Sequence, residues 1–423
     1  MHIPARPRQG PIVAGELPAD EQARQVWRRL APEGWPVPLE TLPAGSALVG
    51  GAVRDALLGR LSAQPDLDLV VPGGAIGLCR ELASRLGGTA VVLDPARDIA
   101  RLVLRGWTVD LAGRDGPSLE TDLRRRDYTA NAIALPLDDP PRLQDPTGGL
   151  ADLAAGRLAA VSEANLLADP LRLLRGVRLS HTLALPLAPR SEDWIRHHAR
   201  ALGQVSGERV FTELEKLAAE PSGHRGLAWS LRHHLLESWA ADATAAGPLE
   251  ALDPEQALAC GLDGAELRWA LPLARLATLL PPAALGHLRA SRQWQQRSAR
   301  LRGWWQALEE CPDPNALAEP QRLQLHADLA AELPAWLLRL PAAMARPWME
   351  RWRQPADPLF HPRSPLDGRQ LQQALKLPPG PVLGELIRHL TQERAFGRIP
   401  IADPAAGAVA IHTARAWMSR RHD

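Results

Sequence analysis

Two carboxylates, two residues apart, are the first groups in this chain whose types and spacing could do chemistry. Asp66 and Asp68 lie in the run Pro65-Asp66-Leu67-Asp68-Leu69-Val70-Val71, whose alternation predicts a strand. Side chains two apart in a strand share a face, so both aspartates point the same way. Like charges held so close repel unless a cation sits between them. Upstream, the apolar run Ala47-Leu48-Val49 ends at Gly50-Gly51 and leads into a helix-like segment carrying Arg54. A glycine turn entering a helix lets a phosphate approach backbone N–H groups, and hard carboxylate oxygens suit Mg²⁺. Together the pieces point to Mg²⁺ carrying a nucleoside triphosphate; taken singly, they are more often a plain turn and a solvated strand end.

Further groups follow in chain order. Trp107 to Ala112 reads as a strand with Trp107, Val109 and Leu111 on one face, which sends Asp110 to the other. A third carboxylate on a neighbouring strand would complete a site for two metals or act as base toward a hydroxyl nucleophile. On its own it is equally a solvated edge residue. Three consecutive arginines then precede Asp127 in Asp122-Leu123-Arg124-Arg125-Arg126-Asp127-Tyr128-Thr129-Ala130-Asn131-Ala132. Farther on, Asp169-Pro170 opens a helix, with Asp169 as the expected N-cap and Pro170 as its first residue. Asp169 and Arg172 stand three apart and are surface neighbours, and Arg175 and Arg178 continue the ridge. A carboxylate beside a guanidinium fork can read a base edge, accepting from an amino group and donating to a ring nitrogen or carbonyl.

The elements that must position these groups are legible from periodicity. Strands are predicted at Thr89–Leu93, Ile99–Leu104 and Trp107–Ala112, and a helix at Ile76–Leu86, stopped by Gly87-Gly88. An amphipathic helix near Glu21–Leu30 has no assignable role. From Gly226 to Arg353 the chain is rich in Ala, Leu, Trp and Arg with proline punctuation, a pattern of packed helices. The fourteen tryptophans are expected mainly in the core.

Composition narrows the class. The 423 residues are 45% hydrophobic and 23% charged, which describes a soluble globular chain of several packed units. No stretch reads as membrane-spanning: the best candidate, Leu271 to Leu285, is broken by Arg275 and Pro281-Pro282. The N-terminus lacks the apolar core and cleavage site of a secretory signal, so a cytoplasmic location is expected. Cys79, Cys260 and Cys311 are isolated, which argues against zinc or disulfide frameworks. His197-His198 and His233-His234 lack metal-ligand spacing and are expected at the surface. Net charge is only +1, yet all but two basic residues, Lys216 and Lys376, are arginines. Arginine forks onto phosphate, so local clusters could hold a polyanion without a global field.

The string G-G-A-V-R-D, P-D-L-D-L-V and then R-R-D-Y-T-A-N-A resembles the signature of the nucleotidyltransferase superfamily, in the branch of the class II tRNA CCA-adding enzymes and bacterial poly(A) polymerases. Tyr128 stands where the motif usually has phenylalanine. Asp169-x-x-Arg172 is similar to the family's E-D-x-x-R base-reading motif, with Ala168 in place of the leading glutamate. Asp145 to Leu153 looks like the hinge after the catalytic head, Ser206 to Val210 like a structural neck motif, and Leu366 to Glu385 like the C-terminal segment.

The resemblance implies an α+β fold: a small mixed-sheet nucleotidyltransferase head followed by an all-helical neck, body and tail. The corresponding boundaries are a leader at 1–42, head at 43–150, neck at 151–225, body at 226–353 and tRNA-binding tail at 354–423. It implies that the 3′ hydroxyl of tRNA attacks the α-phosphate of CTP or ATP without a template and that pyrophosphate leaves. Asp66 and Asp68 would hold Mg²⁺, and Asp110 would be the third acidic group. Gly50, Gly51 and Arg54 would meet the triphosphate and Arg126 the nucleotide. Asp127 and Asn131 would shape the ribose pocket, and Asp169, Arg172, Arg175 and Arg178 would surround the base.

Only seven residues, Asp115 to Thr121, separate Arg114 from Asp122. Full CCA-adding relatives carry a longer flexible loop there, and its absence marks members that add only CC, with a separate A-adding enzyme finishing the same tRNA. Complete CCA addition and CC addition stand as equal alternatives. Poly(A) addition is a rival, set back by the absence of the long basic C-terminal extension usual in those polymerases. A non-catalytic RNA-binding relative is another, set back by retention of every acidic residue.

Overall fold

The computed structural model describes residues 10–12, 17–239, 241, 243–401 and 405–422. They form two compact units, 1–205 and 206–423. The division falls inside the segment expected to be the neck, because the helix Gly207–Ala219 packs with helices Gly223–Arg232 and Gly264–Leu279 of the second unit.

The first unit is built on one mixed sheet. Its strands are β1 Ala47–Val49, β2 Leu67–Val71, β3 Thr89–Asp94, β4 Ile99–Leu104, β5 Trp107–Gly113 and β6 Ala134–Pro136. They lie in the order β3-β4-β5-β2-β1-β6, with β2 and β5 parallel and the other pairs antiparallel. The strands predicted at 89–93, 99–104 and 107–112 thus appear with ends shifted by one residue at most, and the run from Pro65 enters its strand two residues later, at Leu67. Leu67, Leu69, Val109 and Leu111 bury one face, so Asp68 and Asp110 emerge together on the other. Each such fully buried aliphatic side chain stabilises by about 1.5–3 kcal/mol.

Three helices complete the support. The first, α1 (Ala19–Leu30), buries Ala23, Val26 and Leu30, the last two in the same apolar cluster as the sheet. It packs on α2 (Gly51–Leu57), and Arg29 donates to the Ala56 carbonyl at 2.7 Å. The segment expected as a separate leader therefore contributes to the head's core. Its periodicity was visible in the sequence, whereas its packing partner was not. Behind the sheet, α3 (Ala75–Leu86) ends where Gly87 turns left-handed at φ +75°.

Beyond β5 the chain forms α4 (Leu119–Arg124), α5 (Gly149–Ala154), α6 (Glu163–Ala168) and α7 (Leu171–Leu183). Pro170 is already α-helical in φ and ψ but stands just outside α7 as its cap, so Asp169, the expected cap, lies one position before the observed one. It still closes the entry: its carbonyl accepts from Arg172 N–H at 2.9 Å and its carboxylate from Leu171 N–H at 3.4 Å. His198, expected as a plain surface residue, pairs with Glu163 at 2.6 Å.

The second unit is helical among its described residues. The apolar run that Arg275 interrupts is divided between the C-terminal part of helix Gly264–Leu279, started by an Asp263/Glu266 capping box, and helix Pro282–His287. Arg275 is fully buried in that helix. It donates to the carbonyls of Leu252, Ala218, Glu220 and Pro221 and bonds His224 Nδ1. Trp305, Trp336 and Trp348 fill the surrounding core, as expected of the tryptophans. No helix among the described residues is long and apolar enough to cross a membrane.

Candidate active site

Parallel pairing of β2 with β5 puts Asp68 and Asp110 in direct register. The turn after β1 closes on the same spot. Gly50 has φ +73°, and a Cβ there would come within 2.8 Å of Asp68 Oδ2. Only glycine permits both that conformation and that approach. The glycine turn and the carboxylate, separated in sequence, are thus packed against each other. Asp66 stands one residue before β2 and is exposed, so it flanks the strand rather than belonging to it.

Burial pushes the Asp68 carboxyl above its usual range, and the neighbouring Asp110 and Asp66 push it the same way. Arg126 and Arg175 oppose them without prevailing. A carboxylate in this condition is one that a divalent cation would relieve, and the hard oxygens of Asp66 and Asp68 suit Mg²⁺.

Asp110 is differently engaged. Antiparallel β4 sets Arg101 opposite it, and Arg101 donates to both carboxylate oxygens at 2.7 and 2.9 Å. Among the described residues no three His, Cys, Asp or Glu side chains gather as a metal site. Asp110 therefore stands in register with Asp68 while its own carboxylate is engaged by a cation from the protein. Arg101 was missed in the sequence. The alternation of Ile99–Leu104 gave its face, but only the register reveals whom it faces.

The arginine-rich motif is locked from beneath. Arg126 donates Nε and Nη2 to Asp122 Oδ2 at 3.2 and 3.0 Å, and Asp122 also accepts from Asp115 N–H. Asn165 holds the local backbone by donating to the carbonyls of Arg124 and Arg126. Asp122 and Asn165 carried no sequence signal of their own.

A buried relay runs beside this motif. Arg54 Nη1 donates to Asn131 Oδ1 at 2.6 Å, Asn131 donates to Asp127 Oδ1 at 3.3 Å, and Arg175 reaches Asp127 Oδ2 at 2.9 Å. Burial alone would raise the Asp127 carboxyl. Arg175, the Tyr128 N–H, Arg172 and Asn131 together hold it below the usual range. Arg54 is expected at the triphosphate, yet its Nε and Nη1 face inward to Asp55 and Asn131, leaving Nη2 about the turn, 3.5 Å from a Cβ placed on Gly51.

On α7, Arg172 donates to the carbonyls of Arg125 and Asn165 at 2.9 and 3.0 Å. Burial lowers its pKa, while Asp127 and Asp169 act against that shift. Arg175 comes next on the ridge, and half-buried Arg178 follows one turn later. The structure therefore brings Gly50, Asp66, Asp68, Asp110, Arg126 and Arg175 around one point, with Asn131, Asp127, Arg172 and Asp169 linked behind it.

The chain matches two family models: the Poly A polymerase head domain over residues 46–159, and the probable RNA and SrmB-binding site of polymerase A over residues 185–239. It is 33% identical over 397 residues to a CC-adding tRNA nucleotidyltransferase of Synechocystis, covering 86% of this chain and 92% of that protein. An A-adding tRNA nucleotidyltransferase of Deinococcus radiodurans is 45% identical over 195 residues, 45% of this chain and 44% of that protein. In fold it resembles the Thermotoga maritima CCA-adding enzyme complexed with tRNA, with TM-score 0.64 at 19% identity over 88% of this chain and 91% of that one. With its signature turn packed on its first strand carboxylate and a near full-length relative at one-third identity, the chain belongs to the tRNA nucleotidyltransferase and poly(A) polymerase family.

Proposed function

We propose that this protein is a template-independent tRNA nucleotidyltransferase of the cytoplasm that adds C residues to the tRNA 3′ end. The observation that carries this reading is Asp68 in register with Asp110 and packed against the Gly50 turn. The 3′ hydroxyl of tRNA attacks the α-phosphate of CTP, and pyrophosphate leaves.

Asp66 and Asp68 would hold Mg²⁺, which when bound supplies charge neutralisation for the triphosphate and favours the ionised hydroxyl. Gly50 and Gly51 admit the phosphates to the backbone, and Arg54 Nη2 and Arg126 complement their charge. Asp127 and Asn131 form the wall of the ribose pocket. Asp169, Arg172, Arg175 and Arg178 present the base-reading edge, with Arg172 pre-oriented by two carbonyls so that little rotamer freedom is lost on binding.

Addition of CC alone is favoured by the segment 115–121. It is short and folded back: Ser118 caps α4 by accepting from Thr121 N–H, and Asp115 N–H bonds Asp122. The near full-length relatives from Synechocystis and Geobacter sulfurreducens are CC-adding. A second protein would then add the terminal A. The A-adding relative, which matches 45% of this chain at higher identity, supports terminal A addition as the second reading.

The test is extension of tRNA transcripts ending at the discriminator base or at CC, with Mg²⁺ and CTP, ATP or both, read at single-nucleotide resolution. Arrest after two C residues is expected. Growth by three overturns the CC reading, A addition only to the CC-ended transcript establishes the second, long A tails mark a poly(A) polymerase, and no extension overturns catalysis.

A further inference from the structure

The second unit contains a cavity of about 340 Å³ that the head's chemistry does not use. It is lined by Thr244, Thr278, Arg302, Trp305, Glu309 and Arg339, among others. Its volume is at the lower end of small-ligand sites, which run from roughly 300 to 1,000 Å³.

Its charges are unbalanced. Burial disfavours the charge of both Arg302 and Arg339, and Arg302 is near enough to disfavour that of Arg339 further. Glu309 is the carboxylate that supports Arg339. Two guanidiniums against one carboxylate leave an excess positive charge in a partly desolvated place, where a mobile anion gains most.

Both side chains are already held in place. Arg302 is anchored by Nη1 to the Ala277 carbonyl at 2.7 Å, and Arg339 lies over the Trp305 ring at 4.8 Å from its centroid. A second and independent observation comes from Thr278. It is 7% exposed, lines the cavity, and its hydroxyl has no hydrogen-bond partner. A buried hydroxyl without a partner is a deficit that an acceptor supplied from the cavity would remove.

We propose that this cavity is an oxyanion site that takes a phosphate group between Arg302, Arg339 and the Thr278 hydroxyl. The phosphate is carried by a mononucleotide or by an RNA strand, and Trp305 and Pro248 offer an apolar wall to the rest of the ligand. The proposal rests on residues 244–339 alone and stands whether or not the head adds C.

The full-length protein is titrated with AMP, with inorganic phosphate and with an RNA pentanucleotide, and binding is located by hydrogen exchange in residues 300–310. Protection there is expected. Arg302→Gln should weaken it at least tenfold and Thr278→Val several-fold, while Glu309→Gln should tighten it. Thr278→Val should leave the melting temperature unchanged or raised, which separates lost binding from lost fold. Protection by AMP or phosphate identifies a free nucleotide or anion as the source, and protection by RNA alone identifies the strand. No protection by any probe, or protection indifferent to Thr278→Val and Arg302→Gln, overturns the site.

Discussion

Arg101 holds Asp110 through two hydrogen bonds across the β4–β5 ladder, with Asp68 next to Asp110 on the opposite strand. The carboxylate nearest the candidate metal ligands is therefore pre-empted by a protein cation. Both partners are partly exposed, so the pair is worth about 0–1 kcal/mol to folding. Arg101→Ala should change stability little and strengthen Mn²⁺ binding several-fold, measured by electron paramagnetic resonance on protein without nucleotide. Unchanged affinity would show that Asp110 takes no part in holding the ion.

Asp68 should trade folding stability for function. Its folded pKa is raised, so the folded state prefers the protonated form; the stability it contributes is full below the unfolded value near 4 and is lost as pH rises through the folded value. At neutral pH Asp68→Asn should thus raise the melting temperature of the metal-free protein while abolishing nucleotide transfer. Calorimetry and transfer assays on the same preparation check both halves.

Gly50→Ala should do the reverse, harming both properties. A non-glycine residue at φ +73° and ψ −137° costs about 1–3 kcal/mol, and the new Cβ would press on Asp68 Oδ2. Transfer should fall at least a hundredfold, with a melting temperature lower by several degrees.

The buried histidines of the second unit should make it acid-sensitive. Burial, with Arg322 and Arg351 nearby, pushes His326 down to about 3, and burial beside Arg275 pushes His224 down to about 4. Because the unfolded rings protonate near 6.5, this stability is fully present above that pH and is lost as pH falls toward the folded values. His326 also has both ring nitrogens buried without hydrogen bonds. His326→Leu should flatten the decline of melting temperature between pH 7 and pH 5; an unchanged slope would remove His326 from the account.

Arg275 supplies the opposite case, a buried charge that the second unit depends on. Arg275→Leu would strand the carbonyls of Ala218, Glu220, Pro221 and Leu252, at about 1–3 kcal/mol each if they stay dry. Thermal unfolding should show the second unit melting first, with the head's transition unmoved.

What the sequence made legible was set by the range of the forces involved. Strands β3 to β5 and helix α3 were readable because alternation and a terminal glycine are local signals. Asp68 and Asp110 were readable as candidates because their faces follow from alternation. Who answers them was not: Arg101, Asp122 and Asn165 act through register or tertiary contact, which no local pattern encodes. The same is true of α1, whose apolar stripe was plain and whose partner was not. Arg275 was seen only as an interruption of an apolar run, although a lone arginine there is itself a sign of a buried clasp.

The motif at 125–132 and helix α7 meet at one further point. The Tyr128 hydroxyl donates to the Arg172 carbonyl at 2.8 Å, and a Cβ on Gly176 would lie 1.8 Å from that hydroxyl and 2.5 Å from the ring carbon bearing it. Phenylalanine at 128 would relieve only the first collision. The order in which these two sites can change is therefore constrained. Position 176 is closed to alanine while any six-membered ring occupies 128, even though alanine would favour the helix by about 1 kcal/mol. An evolving lineage can reach alanine at 176 only through a prior loss at 128, so the weakest helix former in α7 is fixed by a residue 48 positions away in the chain.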